Sequence, residues 1–473
     1  MRTGLLVNLG IAALVAAFAV LASLHAFGAV LAGAALTAVF VLRRRAIKLG
    51  FFVLVALVPL DTIGQLNMTA AVPVTVTKLL FPPVFAAFLV DRVLSRRPLR
   101  AGPLTLCVAA FGAAILCSLA FTGLQAYTLT GLRRYLGVLL LFVLATNIIE
   151  TERDLRTLLI VIVASCTVSS TLGILESRMG LGWVGIRSWG TAGQRLSGVS
   201  GENPNTFATN LLVAFFVSLT FALCTRRLAL RTALLLLAGL LLAGITFSAS
   251  RGVTLAMLVT CGYALYRLRR RVPGRWFVLW LGVVVLGVLP FVPGLLFERF
   301  AALLQGADAD FTLQRRFAYH AIGLDLFARH PLWGVGPNAF PLHYMASEYR
   351  FLTDQSTGPR MLHNLYLLIA CEFGIVGLTC FGLVVRQAFR HLSVIPRTPA
   401  RVPAAFLPTA AEALRIALAA FLLGSVFLPT EHQKYLWILF AASGAAAAVW
   451  RARPPDGGGA APGTSSLGAA DGP

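Results

Sequence analysis

Residues 312–340 read TLQRRFAYHAIGLDLFARHPLWGVGPNAF, and residues 363–377 read HNLYLLIACEFGIVG. In the first stretch Phe317, Ala321, Leu324 and Ala328 recur at helical spacing, which predicts an amphipathic helix over 312–329. Arg316 and His320 are i, i+4 neighbours beside that face. HPLWGVG then ends the helix with Pro331 and two glycines. In the second stretch the polar pair His363–Asn364 stands at the mouth of a long apolar run. Either residue can cap that run as a helix, whose N-terminus favours negative charge. A surface helix in the loop that leads into a membrane-length span makes this stretch one that lies outside the bilayer but pressed against it.

The rest of the chain supplies the membrane part. It has 473 residues, 58% hydrophobic and 12% charged, with a mean hydropathy of +0.82. Soluble domains carry about 25% charged residues, so a water-soluble fold is excluded and a polytopic all-α membrane protein is expected. Spans fall at 4–22, 24–42, 49–66, 74–94, 103–122, 132–149, 156–176, 205–224, 232–249, 253–267, 276–296, 363–385, 404–428 and 433–450. That is about 12–14 transmembrane helices, the lower figure if short ones are re-entrant or interfacial. The first span follows Arg2 and runs on into the second without a small-residue cleavage site, so it reads as an uncleaved anchor.

Basic clusters at Arg43–Lys48, Arg96–Arg100, Arg226–Arg231, Arg267–Arg275 and Arg386–Arg401 recur at every second gap. The positive-inside rule makes these gaps cytoplasmic, with both termini inside. Gaps 123–131, 177–204, 250–252, 297–362 and 429–432 are then external. The expected organisation is 1–176, N-terminal helices; 177–296, central helices with the external loop 177–204; 297–362, the large external loop; 363–450, C-terminal helices; and 451–473, a disordered cytoplasmic tail.

The net charge is +22, from 37 Arg and only 3 Lys against 18 acids. Cytoplasmic loops account for most of it, so it is no argument for nucleic-acid binding. Seven cysteines, Cys107, Cys117, Cys166, Cys224, Cys261, Cys371 and Cys380, lie in or at the ends of apolar spans. They form neither a disulfide framework nor a CxxC metal pattern.

The informative polar residues are external. RLSGVSGENPNTFATN (195–210) offers Asn203 as a helix cap with Pro204 at the first helical position. Arg195 has no capping task and either holds an anion at that helix mouth or meets lipid headgroups. Arg251, in FSASRGVT, sits at a tight turn against the positive-inside rule, where an arginine either snorkels or acts. Arg133 and Arg134, also at an external span end, are candidates for phosphate contact. Arg315 and Arg316 are adjacent, either an ordinary solvated face or a substrate contact. Asp308 and Asp310 spell DAD, a weak metal pattern, and Asp310 could equally cap the helix. Glu372 lies nine residues beyond His363, about 13.5 Å along a helix and on the opposite face, which makes it a buried structural acid wanting a partner.

These residues resemble the O-antigen ligase and O-antigen polymerase superfamily. The resemblance rests on RLSGVSGENPN, the SRG at a span end, the arginine before the helix leading to HPLWGVG, and HNLYLLIACEFGIVG. It is specific over about 251–377; before residue 190 only the hydropathy pattern matches. It implies a metal-independent glycosyltransferase without a cofactor, in the bacterial inner membrane with its site on the external face. Such an enzyme moves a glycan from undecaprenyl diphosphate to an acceptor: a lipid A core sugar, another lipid-linked repeat, or a protein. It implies catalytic roles for Arg251, Arg316 and His363, with Arg315, Arg195, Asn364, Arg133 and Arg134 as candidates for substrate binding. Where the family often has a tryptophan four residues after its arginine, His320 stands here. The chemistry agrees: fixed arginines meet a diphosphate bidentately, and a histidine has the pKa range of a base. A transporter or flippase of lipid-linked glycans is the alternative. It would place ionisable groups along a midplane cavity, and Glu372 and Lys78 are the residues that favour it.

Overall fold

The computed structural model describes residues 44–60, 75–122, 126–179, 188–189, 195–197, 203–269, 282, 311–346, 359–396 and 405–453. The expected spans 4–22, 24–42 and 276–296, the DAD pair Asp308 and Asp310, and most of the C-terminal tail lie outside the described residues.

Thirteen helices are described. The first eight are α1 (Arg44–Leu57), α2 (Val76–Leu94), α3 (Pro103–Thr122), α4 (Ala126–Ile148), α5 (Glu152–Met179), α6 (Pro204–Cys224), α7 (Leu228–Phe247) and α8 (Arg251–Leu268). Then come α9 (Phe311–Arg329), the short α10 (Phe340–Tyr344), α11 (Leu365–Val394), α12 (Phe406–Gly424) and α13 (Lys434–Arg451). A two-stranded antiparallel ribbon pairs β1 (Ser188–Trp189) with β2 (Arg195–Leu196). Seven described helical stretches are long and apolar enough to cross a membrane, and the chain is an all-α polytopic membrane protein.

Local signals set these helices. Asn203 caps α6 by accepting from the Asn205 N–H at 2.8 Å, with Pro204 at the first helical position. Thr151 and Asp154 form a reciprocal capping box at the start of α5. The Asp154 N–H donates to Thr151 Oγ1 at 3.1 Å, and the Thr151 N–H to Asp154 Oδ2 at 2.9 Å. α6 is hydrophobic all round and accordingly buried almost all round, packed between α5, α7 and α12.

Ion pairs gather the basic helix ends at one end of the bundle. Lys48 meets Asp154 at 2.7 Å, Arg92 meets Glu150 at 3.2 Å, and Arg267 meets Glu412 at 2.6 Å. Arg453 pairs with Glu152 there, and Arg156 lies over the Phe406 ring. The start of α6, the turn between α7 and α8, and the start of α11 occupy the other end.

At that other end the chain does what periodicity could not foresee. α11 is broken at Gly374, whose φ of 64° and ψ of −164° belong to glycine. The break disconnects two carbonyls and two N–H groups from the helical ladder, and HPLWGVG reconnects all four. Val335 N–H donates to Cys371 O and Gly336 N–H to Glu372 O, both at 2.9 Å. Ile375 N–H donates to Pro331 O at 2.8 Å, and Val376 N–H to Leu332 O at 3.5 Å. Ser118 Oγ also donates to Glu372 O, at 2.9 Å. A helix can open inside apolar surroundings only if its freed groups find such partners. The loop is gripped from its far side too: Trp333 stacks on Phe121 at 5.6 Å, and a Cβ on Gly131 would lie 2.6 Å from that of Asn338.

Candidate functional site

The helix predicted over 312–329 is α9 (Phe311–Arg329), but the predicted apolar face is not the one that packs on the protein. Phe317, Ala321, Leu324 and Ala328 are exposed, while Ala318, Tyr319, Ile322 and Leu326 are buried. α9 is apolar on two sides: one binds α11, and the other is available to the membrane surface. Gly323 permits the first, because a Cβ there would run into Leu362.

That packing carries the N-terminal part of α9 over the start of α8. Arg251 and Arg316 line one cavity, together with Asn205, Ser250, Gly252, Val253, Phe427 and Leu428. The space between these residues, its opening to solvent included, is about 270 Å³. Among the described residues, no carboxylate lines it. The Ser250 side chain makes no capping bond to α8, so the first-turn amides of an 18-residue helix add their positive end to the two guanidiniums. Gly252 lets α8 start this close to the turn Ser425–Phe427, since a Cβ there would lie 2.7 Å from Phe427 Cβ. The turn into α8 is strained: Ala249, buried, is held at φ 49°, outside the usual range for a residue with a Cβ. Such strain persists where surrounding structure over-determines it, and it concentrates at functional sites.

His363 stands between the ends of α9 and α11. Its ring stacks on Tyr319 at 5.8 Å, and Tyr319 is braced edge-on by Tyr344 at 5.4 Å. Nδ1 lies 2.8 Å from Met361 O, a partner that can only accept, so Nδ1 carries the proton and Nε2 keeps its lone pair. Burial first, then the charge of Arg316, pushes the His363 pKa down to about 4 despite the Met361 bond; Arg360 and His320 act in the same direction. The imidazole is therefore neutral, and it lies within electrostatic reach of Arg316.

The remaining candidates sort by position. Arg315 faces Tyr319 electrostatically and does not line the cavity, whereas Arg316 does. Asn364 caps α11, its Oδ1 accepting from Tyr366 N–H at 3.0 Å and Leu367 N–H at 3.1 Å. Arg195 does not line this cavity; its guanidinium donates to Asn205 Oδ1 at 2.8 Å and to Ser248 O at 3.1 Å. Arg133 and Arg134 are exposed on α4 and do not line the cavity. Arg134 acts electrostatically on Glu431 and His432, in the loop before α13. Glu372 is buried, with Tyr135 Oη 3.5 Å from Oε2. His320 Nδ1 lies 2.6 Å from Arg316 O, a bond within α9.

Sequence reading did not single out Asn205 or Gly374. The only signal for Asn205 was its place beside the cap; for Gly374, a glycine inside an apolar span.

Residues 236–382 match the family model described as O-Antigen ligase. The matched segment runs from within α7 to the middle of α11 and contains Arg251, Arg316, His363 and Gly374. It supports the O-antigen ligase and polymerase superfamily, and with it a glycosyltransferase-like enzyme acting in the membrane on lipid-linked glycans. No curated protein matches the chain at a significant level.

Proposed function

We propose that the protein moves a glycan from undecaprenyl diphosphate to an acceptor hydroxyl, without a metal, at the external face of the bacterial inner membrane. One observation carries this reading: Arg251 and Arg316, from different helices, line a single cavity with no acid among its described residues, at the N-terminus of α8 that the Ser250 side chain leaves uncapped. In the step, the acceptor oxygen attacks the anomeric carbon. A new C–O bond forms as the bond from that carbon to the phosphate oxygen breaks, and the electron pair leaves on the diphosphate. Arg251 and Arg316 meet the charge that develops there, in the place a divalent cation fills in other enzymes. The hydroxyl proton passes to Nε2 of His363, which Met361 O and Tyr319 hold in the required tautomer and plane.

The test is transfer by the purified full-length protein in nanodiscs, supplied with undecaprenyl diphosphate-linked repeat units and candidate acceptors in excess EDTA. We expect elongated or transferred glycan with undiminished yield. Activity lost in EDTA and restored by magnesium or manganese would overturn metal independence. Lipid A core, a second repeat or a protein as acceptor separates ligase, polymerase and protein glycosylation, which share this donor site.

The His363 environment predicts a pH profile. With its pKa near 4 in the free protein, the base is not protonated at the pH where an ordinary histidine, pKa about 6.5, would be. The acid limb of kcat/KM should fall near pH 4. Bound diphosphate offsets the charge of Arg316 and Arg360, so the acid limb of kcat should lie at higher pH. His363→Ala should suppress transfer while the protein still inserts and folds. A wild-type acid limb of kcat/KM near pH 6.5 would contradict the proposed environment.

A further inference from the structure

Asn205 has two polar faces, and the structure accounts for one of them. Arg195, in β2, donates to its Oδ1 at 2.8 Å. A guanidinium can only donate, so the atom facing it must be the amide oxygen. The NH2 group therefore points the other way. No described residue accepts from it, and Asn205 lines the cavity that Arg251 and Arg316 share. The backbone of Asn205 is held as well, by the Asn203 cap at 2.8 Å and by Thr209 Oγ1 donating to its carbonyl at 2.9 Å. Arg195 is fixed in turn by Ser248 O at 3.1 Å, in the turn that leads to Arg251. Thus β2, α6 and the α7–α8 turn converge on one oriented amide.

We propose that Asn205 donates its NH2 to a diphosphate oxygen of the lipid-linked donor, with Arg195 as the positioning residue that sets its orientation. The inference rests on the function proposed above and adds a third, neutral donor to it. A neutral donor holds an oxygen less tightly than a third cation would. Arg195 acts through Asn205 and need not touch the ligand.

The test measures binding of undecaprenyl diphosphate and of inorganic diphosphate to the full chain in nanodiscs, with transfer kinetics on the same preparations. Asn205→Ala should weaken both ligands by about tenfold or more, the range for one hydrogen bond to a charged group. Asn205→Asp keeps an acceptor for Arg195 but turns an anionic oxygen into the cavity, so it should bind worse than Asn205→Ala. Arg195→Ala should reproduce Asn205→Ala, and the double variant should add little, as expected of residues acting as a unit. Arg251→Ala separates this inference from the function it rests on. If Arg251→Ala abolishes diphosphate binding and Asn205→Ala does not change it, the inference fails and the donor site stands. If neither changes it, the donor site itself is wrong. Donor KM raised with unchanged undecaprenyl diphosphate affinity would place Asn205 on the glycan and overturn the assignment. So would Asn205→Asp binding like wild type, or a loss of thermal stability in Asn205→Ala with normal affinity per folded molecule.

Discussion

Replacing Arg251 or Arg316 with alanine should lower glycan transfer by about 10²–10³-fold, the cost of removing a preorganised donor from a developing oxyanion. Lysine at either position should also be damaging, because an ammonium is a point charge and cannot reproduce the planar two-pronged fork. The two substitutions together should cost less than the sum of the singles, since both act on one leaving group. Arg315→Ala is the sharp comparison. Arg315 is adjacent in sequence to Arg316, but it faces Tyr319 and lies off the cavity. It should retain most of the activity. Transfer rate per folded molecule is the measurement. A severe loss in Arg315→Ala with a mild one in Arg316→Ala would reverse the assignment of the donor-contacting arginine.

The second large effect is structural. Gly374→Ala should remove most folded protein. Alanine does not populate φ 64°, ψ −164°, a region that costs about 1–3 kcal/mol even when tolerated. Its Cβ would also meet the backbone of Leu332. To clear it, the HPLWGVG loop must withdraw, which strands the Ile375 N–H and the Cys371 and Glu372 carbonyls away from their partners. Each such buried loss is worth about 1–3 kcal/mol, and total stabilities are only about 5–15 kcal/mol. Gly334→Ala should behave similarly, from φ 67° and a Cβ driven into the Glu372 backbone. Gly382→Ala, in the same helix with nothing within 4 Å of the added Cβ, should be neutral or stabilising, since alanine is the better helix former. Monodisperse yield and thermal unfolding in detergent decide the matter. Gly374→Ala unfolding at the wild-type temperature would show that the break does not hold the loop.

How much of this was legible in the chain follows from the range of each interaction. Asn203 with Pro204, the helix from Phe311 to Arg329 and the apolar spans depend on residues within a turn or two of each other, and a sequence displays such neighbours directly. Arg251 and His363 could be named as candidates because each stands at the edge of an apolar run, where a polar residue needs a reason; Arg316 was set apart from Arg315 only by the family resemblance. Tertiary structure alone decided the rest. It put Arg316 rather than Arg315 in the cavity, because the face of α9 turned to the protein follows from Gly323 meeting Leu362 and Leu367. It bonded Arg195 to Asn205 and to Ser248 O, through contacts that reach from β2 to α6 and the turn after α7. It also opened α11 at Gly374, where the helical bonds were exchanged for bonds to Pro331, Leu332, Val335 and Gly336. A glycine in an apolar span carries no mark of that exchange, since its partners are backbone groups about forty residues away, and backbone groups are the same in every sequence.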